Sequence, residues 1–253
     1  MRATALRRTA VAVSAVSLVF GVAACGGGGE GEDKGKDAPK GSASASAAPD
    51  AKALSAAELE KLIVEQADLK GYQVQKGEAA GAAKSGDIST DKPACKPLAE
   101  AMSFIATGTP GASVHRKAIE MPKPEGATAS PEEALGMLSA PVTSVTLGSY
   151  DGGGAQEALA SLKTAGAECA GGFTLIGGGE KTKITKVAPE TVTAGEEALA
   201  FTVTTDVEGE AWVSKLVAFR KGNTLASFSV ISLGGTVKEL PQPVIDAQAA
   251  KLG

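Results

Sequence analysis

The chain has 253 residues, with 25 lysines and arginines against 29 aspartates and glutamates, so its net charge is −4 at pH 7. This acidic balance, without a basic cluster, argues against a nucleic-acid partner, because phosphate backbones are bound by grouped lysine and arginine side chains. Only 4% of the residues are aromatic, so the aromatic side chains are expected in the core.

Residues 1–24 have the features of a lipoprotein signal peptide. Arg7 and Arg8 precede a short apolar stretch, and small residues follow it up to Cys25. The stretch of about 12 apolar residues is too short to cross a bilayer, which needs about 20. A plain secretory signal with an incidental cysteine is the alternative. The pattern favours lipidation of Cys25, with palmitate as a typical acyl group, and a lipid anchor on the outer side of the cell membrane.

Residues 25–53 comprise this cysteine and a linker of mainly glycine, serine, alanine, lysine and aspartate. We expect the linker to be disordered, because it buries too little apolar surface to offset the entropy of ordering. Removal of the signal also removes three arginines, which leaves 22 basic and 29 acidic residues and a net charge of −7. Residues 54–253 suit one compact domain.

The domain is predicted to begin with a helix and a strand. Ser55 and Glu58 form a capping box before an apolar stripe at helical spacing, and Gly71 ends the predicted helix. Residues 72–75 alternate as a strand, and residues 77–92 have the composition of a mobile loop.

The next segment predicts a helix, two strands and a long insertion between the strands. The helix begins around Cys95, which two prolines bracket, and the strands cover 114–121 and 142–150. The insertion, Pro122 to Pro141, contains a capped helix with apolar residues. We expect it to pack as a flap beside a shallow cleft, or else only to cover an exposed face of the sheet.

The second half predicts a helix at 155–169, several strands and a final helix from about Pro243. The predicted strands are 173–176, 183–187, 198–206, 211–220 and 224–233. Turn pairs between the last three strands predict an antiparallel meander. The order of elements indicates an α+β fold, with helices packed on one or both faces of an antiparallel sheet.

Cys95 and Cys169 are the two cysteines that remain beside Cys25, and in an oxidising compartment they permit one intramolecular disulfide. Metal ligation is the rival interpretation. It would need the single histidine, His115, and none of the three residues has the spacing of a metal motif. We therefore predict a disulfide and no metal site.

Two segments resemble a known family. The helix Ala155–Leu162, which runs to Cys169-Ala170-Gly171, and the hairpin Val217–Leu225 resemble the PknH-like extracellular sensor domain. This domain occurs on actinobacterial receptor serine/threonine kinases and as free-standing lipoproteins. The resemblance implies an α+β fold around a cleft, with disulfides that tie helices to the sheet, and a sensor role without catalysis. The chain departs from the family because it has only two cysteines in the mature domain, no kinase domain and no transmembrane helix, so inward signalling by itself is not expected.

Catalytic motifs are missing from the sequence. His115 has no nucleophile elbow in its surroundings and is interpreted as a solvent-facing strand residue. The glycine triplets at 152–154 and 177–179 lack the spacing of phosphate-binding loops and are interpreted as turns. The carboxylate pairs Glu132/Glu133 and Glu196/Glu197 are interpreted as solvated or helix-start residues. We expect no enzyme activity and no cofactor.

Three functions remain open. The first is a membrane-anchored ligand-binding or accessory sensor domain, whose partner would be an envelope protein or a small molecule. The second is a lipid or glycolipid carrier of the cell envelope, which would need a large apolar cavity. The third is a structural interaction module that uses an exposed edge of the meander. Aromatic residues that could line a ligand cleft instead of the core are Tyr72, Phe104, Tyr150 and Trp212.

Overall fold

The computed structural model describes residues 51–77, 85–121 and 139–253. The predicted signal peptide, Cys25 and most of the linker lie outside these residues. So does most of the insertion at 122–141, including its predicted helix.

The described residues form one nine-stranded sheet in which every pair of neighbouring strands is antiparallel. The strands are β1 (Tyr72–Lys76), β2 (Ile88–Thr90), β3 (Ala112–Glu120), β4 (Val142–Ser149), β5 (Phe173–Gly177), β6 (Glu180–Glu190), β7 (Glu197–Val207), β8 (Glu210–Lys221) and β9 (Thr224–Ile231). Their order in the sheet is β1-β3-β4-β9-β8-β7-β6-β5-β2.

Four α-helices lie within the described part of the chain. They are α1 (Ala56–Leu62), α2 (Lys96–Met102), α3 (Gly154–Glu168) and α4 (Gln242–Leu252). Short 3-10 helices occur at Gln66–Asp68, Ser85–Asp87 and Pro93–Cys95. None of the helices in these ranges is long and apolar enough to cross a membrane. The prediction of an α+β fold with an antiparallel sheet is confirmed.

Helices cover both faces of the sheet. Alternate residues of a strand point to opposite faces, so on β8 Leu216 and Ala218 join one core cluster while Val217 and Phe219 join the other. The first cluster includes α2 and α3, and we call this side the disulfide face. The second includes α1 and α4, and we call it the terminal-helix face.

The disulfide face takes its name from the bond between Cys95 and Cys169, whose Cα atoms are 5.9 Å apart. The bond joins the start of α2 to the end of α3, and both cysteines are fully buried. The predicted pairing is confirmed. Because it closes a separation of 74 residues in the chain, the chain-entropy model gives it a contribution of about 4 kcal/mol.

The terminal-helix face is filled by apolar side chains. Phe219 and Phe228 stack with ring centroids 5.7 Å apart beneath the two helices. The buried Gln248 of α4 accepts a hydrogen bond from the Val64 N–H at 3.1 Å and donates to the Leu62 carbonyl at 2.8 Å. These two bonds satisfy the amide and fix α4 against the end of α1.

The first helix is shorter than predicted, and its capping box is present. The chain becomes extended at Ile63, and Gln66 falls in a separate 3-10 turn. The Gln66 side chain donates to the Tyr72 carbonyl at 2.8 Å and accepts from the Val74 N–H at 2.9 Å. The predicted extension of the helix to Gln66 is therefore wrong, because the Gln66 side chain satisfies backbone groups along the outer edge of β1.

Two further predictions are corrected by the sheet. Residues 85–92 belong to the predicted mobile loop, yet they contain β2, which pairs with β5 and buries Ile88. Among the described strands, those of the meander lie inside the sheet, and β1 and β2 are at its edges. An exposed meander edge is therefore not available for a partner. The meander is enclosed because β4 pairs with β9 and β6 pairs with β7.

The start of the described chain is bonded to one end of the sheet. The Ala53 N–H donates to the Asp151 carboxylate at 2.8 Å, and the Gly152 N–H donates to the Ala51 carbonyl at 2.7 Å. Residues 51–53, predicted as the last part of the linker, are thus held against the turn between β4 and α3.

Candidate functional site

A groove of 360 Å³ lies on the disulfide face, between the C-terminal half of α3 and strands β6 and β7. We call it the α3–β7 groove. Its volume falls within the range of small-molecule sites, about 300–1,000 Å³. The residues that line it are Lys163, Gly166, Ala167, Ala170, Pro189, Glu190, Glu197, Ala198, Leu199, Ala200 and Phe201. Eight of these eleven are apolar or glycine, and the other three carry charges.

The floor of the groove depends on a close approach between α3 and β7. A Cβ atom placed on Gly166 would lie 2.2 Å from Cζ of Phe201. Phe201 is 5% exposed and belongs to the core cluster of the disulfide face. Glycine at 166 therefore lets the phenyl ring pack directly under the helix backbone, which a larger side chain would prevent.

The rim of the groove carries charges of both signs. Lys163 and Glu197 lie on opposite walls with their charged atoms 4.0 Å apart. Glu190 lines the groove from β6, but its carboxylate points to the terminal-helix face, where it accepts hydrogen bonds from Lys215 at 2.7 Å and from the Thr202 hydroxyl at 2.8 Å.

Glu190 is ionised at neutral pH. Burial acts to raise the pKa of its carboxyl, but the hydrogen bonds from Lys215 and Thr202, with the lysine charge, outweigh burial and lower the pKa. On the groove side, the Glu197 carboxylate is paired with Lys163. An apolar floor under a rim of mixed charge suits binding of an amphipathic molecule.

Comparisons with known proteins give structural likenesses, of which two are described. No protein family matches the chain, and no curated protein matches it. The chain is similar in structure to the extracellular domain of PknH from Mycobacterium tuberculosis, with a TM-score of 0.43 and 11% identity over 79% of this chain and 95% of that one. It is also similar to the Rv0999 ortholog from Mycobacterium smegmatis, with a TM-score of 0.32 and 10% identity over 83% of this chain and 97% of that one. The predicted resemblance to the PknH-like domain is confirmed as a likeness.

A second cavity of 140 Å³ lies on the same face, at the far ends of β7, β8 and β9. We call it the Trp212 pocket. Its lining residues are Met102, Thr205, Val207, Trp212, Val213, Ser214, Ser229, Ile231, Ser232 and Gly235. Of the two positions considered for Trp212, the core or a ligand cleft, the structure has the second: the residue lines a cavity and is only partly buried.

The loop after α2 is fixed to the sheet by hydroxyl groups. The Thr146 hydroxyl donates to the Phe104 carbonyl at 3.3 Å, and the Tyr150 hydroxyl donates to the Thr107 carbonyl at 2.7 Å. Phe104 has a φ of 62°, a left-handed conformation that is rare for a bulky residue. Burial, and secondarily the charge of Glu100, raises the pKa of Tyr150 far above its ordinary value, so its hydroxyl stays protonated.

His115 is half-buried, not solvent-facing as predicted. Its Nδ1 lies 3.1 Å from the Thr146 hydroxyl, on the disulfide face of β3. A Cβ atom on Gly77 would lie 2.8 Å from the His115 Cβ, so the chain just after β1 passes close beside the histidine. Burial lowers the pKa of the imidazole, which favours the neutral ring at pH 7.

The other residues considered from the sequence are placed as follows. Gly152 and Gly153 form the turn into α3, and Gly154 is the first residue of the helix. Glu196 bonds the buried Arg220 at 2.6 Å, so its carboxylate stabilises the β8–β9 hairpin. Cys25, Glu132 and Glu133 lie outside the described residues.

Sequence reasoning did not find the α3–β7 groove, because its walls come from residues far apart in the chain. A signal existed in Gly166, which lies among the buried residues of α3 and is the one glycine of this helix after its first residue. A glycine at such a position often marks a close approach to another element. The identity of that element, the ring of Phe201, could be known only from the structure.

Proposed function

We propose that this chain is a membrane-anchored, non-catalytic binding domain outside the cytoplasm, and that its α3–β7 groove binds a small amphipathic ligand. The observation that carries the proposal is the combination in one 360 Å³ groove of an apolar floor and a rim with both signs of charge. The apolar part of the ligand would lie on Leu199 and Phe201. A charged group would lie beside Lys163 or Glu197.

The position of the groove supports this use. Ala167 and Ala170 on its wall flank Cys169, whose disulfide fixes the end of α3 to α2. The opposite wall is a strand inside the sheet. Both walls are therefore rigid, and a preformed site loses less entropy on binding than a mobile one.

The location is proposed from the disulfide and from the sequence before it. A buried structural disulfide is typical of proteins in oxidising compartments. In the proposal, the signal peptide is removed and Cys25 carries the lipid. Mass spectrometry of the mature N-terminus should find an acylated cysteine, and a Cys25→Ala variant should leave the membrane fraction. An unmodified N-terminus would refute the anchor and leave the groove unaffected.

The two alternative functions receive less support. A lipid or glycolipid carrier needs room for acyl chains, and neither the 360 Å³ groove nor the 140 Å³ pocket is large enough for a pair of them. An interaction module would need an exposed strand of the meander, but β8 and β9 are interior strands of the sheet.

A matched pair of variants on α3 tests the groove. Ala167 and Ala160 are both exposed and lie seven residues apart, on nearly the same side of the helix, but only Ala167 lines the groove. The probe is anilinonaphthalene sulfonate, which combines an apolar ring system with one negative charge. Ala167→Phe should fill the groove and weaken probe binding at least 10-fold, whereas Ala160→Phe should bind as the parent does.

Two results would contradict the proposal for the groove. If the parent chain does not bind the probe in its folded state, or if both variants bind it equally, the groove is not a ligand site. Thermal melting of all three proteins shows whether they are folded under the conditions of the titration.

A further inference from the structure

The Trp212 pocket has a chemistry different from that of the groove. Its described lining includes no charged side chain. It combines the indole of Trp212, apolar side chains such as Met102 and Ile231, and serine hydroxyls. We propose that this pocket binds one neutral pyranose ring, either as a free sugar or as a residue of a glycan chain.

The indole provides a wall for the apolar face of such a ring. A Cβ atom on Gly235 would lie 3.4–3.5 Å from the pyrrole part of the indole, so the glycine backbone packs against the tryptophan. Gly235 also has a φ of 82°, which few other residues adopt. Its carbonyl accepts the Val213 N–H at 2.7 Å. The tryptophan is thus supported by backbone while it lines the cavity, and a supported aromatic surface can accept the C–H groups of a sugar.

The serines supply groups that match sugar hydroxyls. Trp212 and Ser214 alternate along β8 and face the same side, and Ser229 lies on the neighbouring β9. A serine hydroxyl both donates and accepts hydrogen bonds, as a sugar hydroxyl does. The absence of charge from the described lining disfavours phosphate, carboxylate and ammonium ligands, because a charged group would lose its hydration without a compensating partner.

The size of the pocket limits the ligand to one ring. Its 140 Å³ is well below the roughly 300 Å³ at which drug-sized sites begin. With so few contacts, affinity for one sugar should be weak, in the millimolar range.

The pocket lies at the end of the sheet opposite the bonded start of the chain. Asn223, in the β8–β9 turn, donates to the Lys52 carbonyl at 2.8 Å. Trp212 lies nine residues before Lys221 along β8, which corresponds to about 30 Å. The strand thus separates the pocket from the end of the sheet that binds residues 51–53.

Trp212 is the only tryptophan of the chain, so its fluorescence reports on this pocket alone. The folded protein is titrated with methyl glucoside, methyl mannoside and methyl galactoside, and with maltotetraose as a glycan. Methyl glucuronide, of similar size but charged, is the matched control ligand. We expect a saturable blue shift with at least one neutral glycoside, because the ring displaces water from the indole, and no saturable shift with the glucuronide. Tighter binding of maltotetraose than of the glucoside would identify a glycan chain as the source of the ring.

Two lining variants and one control complete the test. Ser214→Ala and Ser229→Ala should each weaken sugar binding about 3- to 10-fold, as expected for the loss of one neutral hydrogen bond. Ser227→Ala lies on the same strand and face as Ser229 but outside the pocket lining, so it should bind as the parent does. The proposal is overturned if no neutral glycoside gives a saturable shift, if the glucuronide binds equally well, or if all three variants bind alike. Ala167→Phe in the groove should leave this titration unchanged, which separates this proposal from the function proposed for the groove.

Discussion

The two faces of the sheet differ most clearly along β9. Ala226 and Phe228 point to the terminal-helix face and are buried among apolar side chains of the core. Ser227 and Ser229 point to the disulfide face and are also buried, but they meet a surface rich in hydroxyl groups. One strand thus contributes apolar packing to one side and polar contacts to the other.

We infer from this difference that the two faces have different roles. Among the described residues, the terminal-helix face is packed with apolar side chains, including the Phe219–Phe228 stack, and the hydrogen bonds of Gln248 join its two helices. The disulfide face contains the α3–β7 groove, the Trp212 pocket and the strained residue Phe104. Strain and incomplete packing are typical of functional regions, whereas complete packing mainly contributes stability.

The largest expected effect comes from Phe228 on the filled side. Phe228→Ala should destabilise the domain by about 3–5 kcal/mol, because it removes a buried ring and leaves a cavity. Ser227→Ala, the adjacent residue on the other face, should cost less than about 1.5 kcal/mol. Unfolding in urea measures both. Equal costs for the two substitutions would contradict the assignment of stability to the terminal-helix face.

A smaller effect is expected from Gly166 beneath the groove. Gly166→Ala should cost about 1–3 kcal/mol, because the added methyl group collides with Phe201 and this outweighs the better helix propensity of alanine. The displaced ring should also enter the groove and weaken binding of the naphthalene probe. Gly171→Ala is the control, since nothing lies within 4 Å of its Cβ position. If Gly166→Ala is as stable as the control, the close approach does not shape the groove.

The smallest effect concerns the single histidine. Burial lowers the pKa of His115 below the ordinary value of 6.5, so the unfolded chain binds a proton more readily than the folded one. The stability that the neutral ring contributes is fully present above pH 6.5 and is lost as the pH falls through the folded pKa. NMR of the single imidazole should give a value below 6.5, and His115→Gln should flatten the decline in stability between pH 7 and pH 5. A pKa of His115 at or above 6.5 in the folded state would contradict the burial of the ring.

Much of the fold could be predicted because periodicity, capping and turn residues act locally. The α3 stripe ending at Cys169 and the turn pairs of the meander gave correct elements. The prediction failed where a distant partner decides the outcome. β2 has only three residues and exists because β5 pairs with it, and Gln66 left the helical pattern to bond the edge of β1. The groove and the Trp212 pocket have the same origin, since each is formed by elements that meet only after folding.

The central claim is that the α3–β7 groove binds ligand while the terminal-helix face only stabilises the fold. Residue-resolved NMR of the folded chain, titrated with anilinonaphthalene sulfonate, tests it most directly. We predict that the amide signals of Gly166, Ala170 and Leu199 shift in a saturable way while those of Phe219 and Phe228 stay in place. Shifts centred on Phe219 and Phe228, with the groove amides unchanged, would contradict the account.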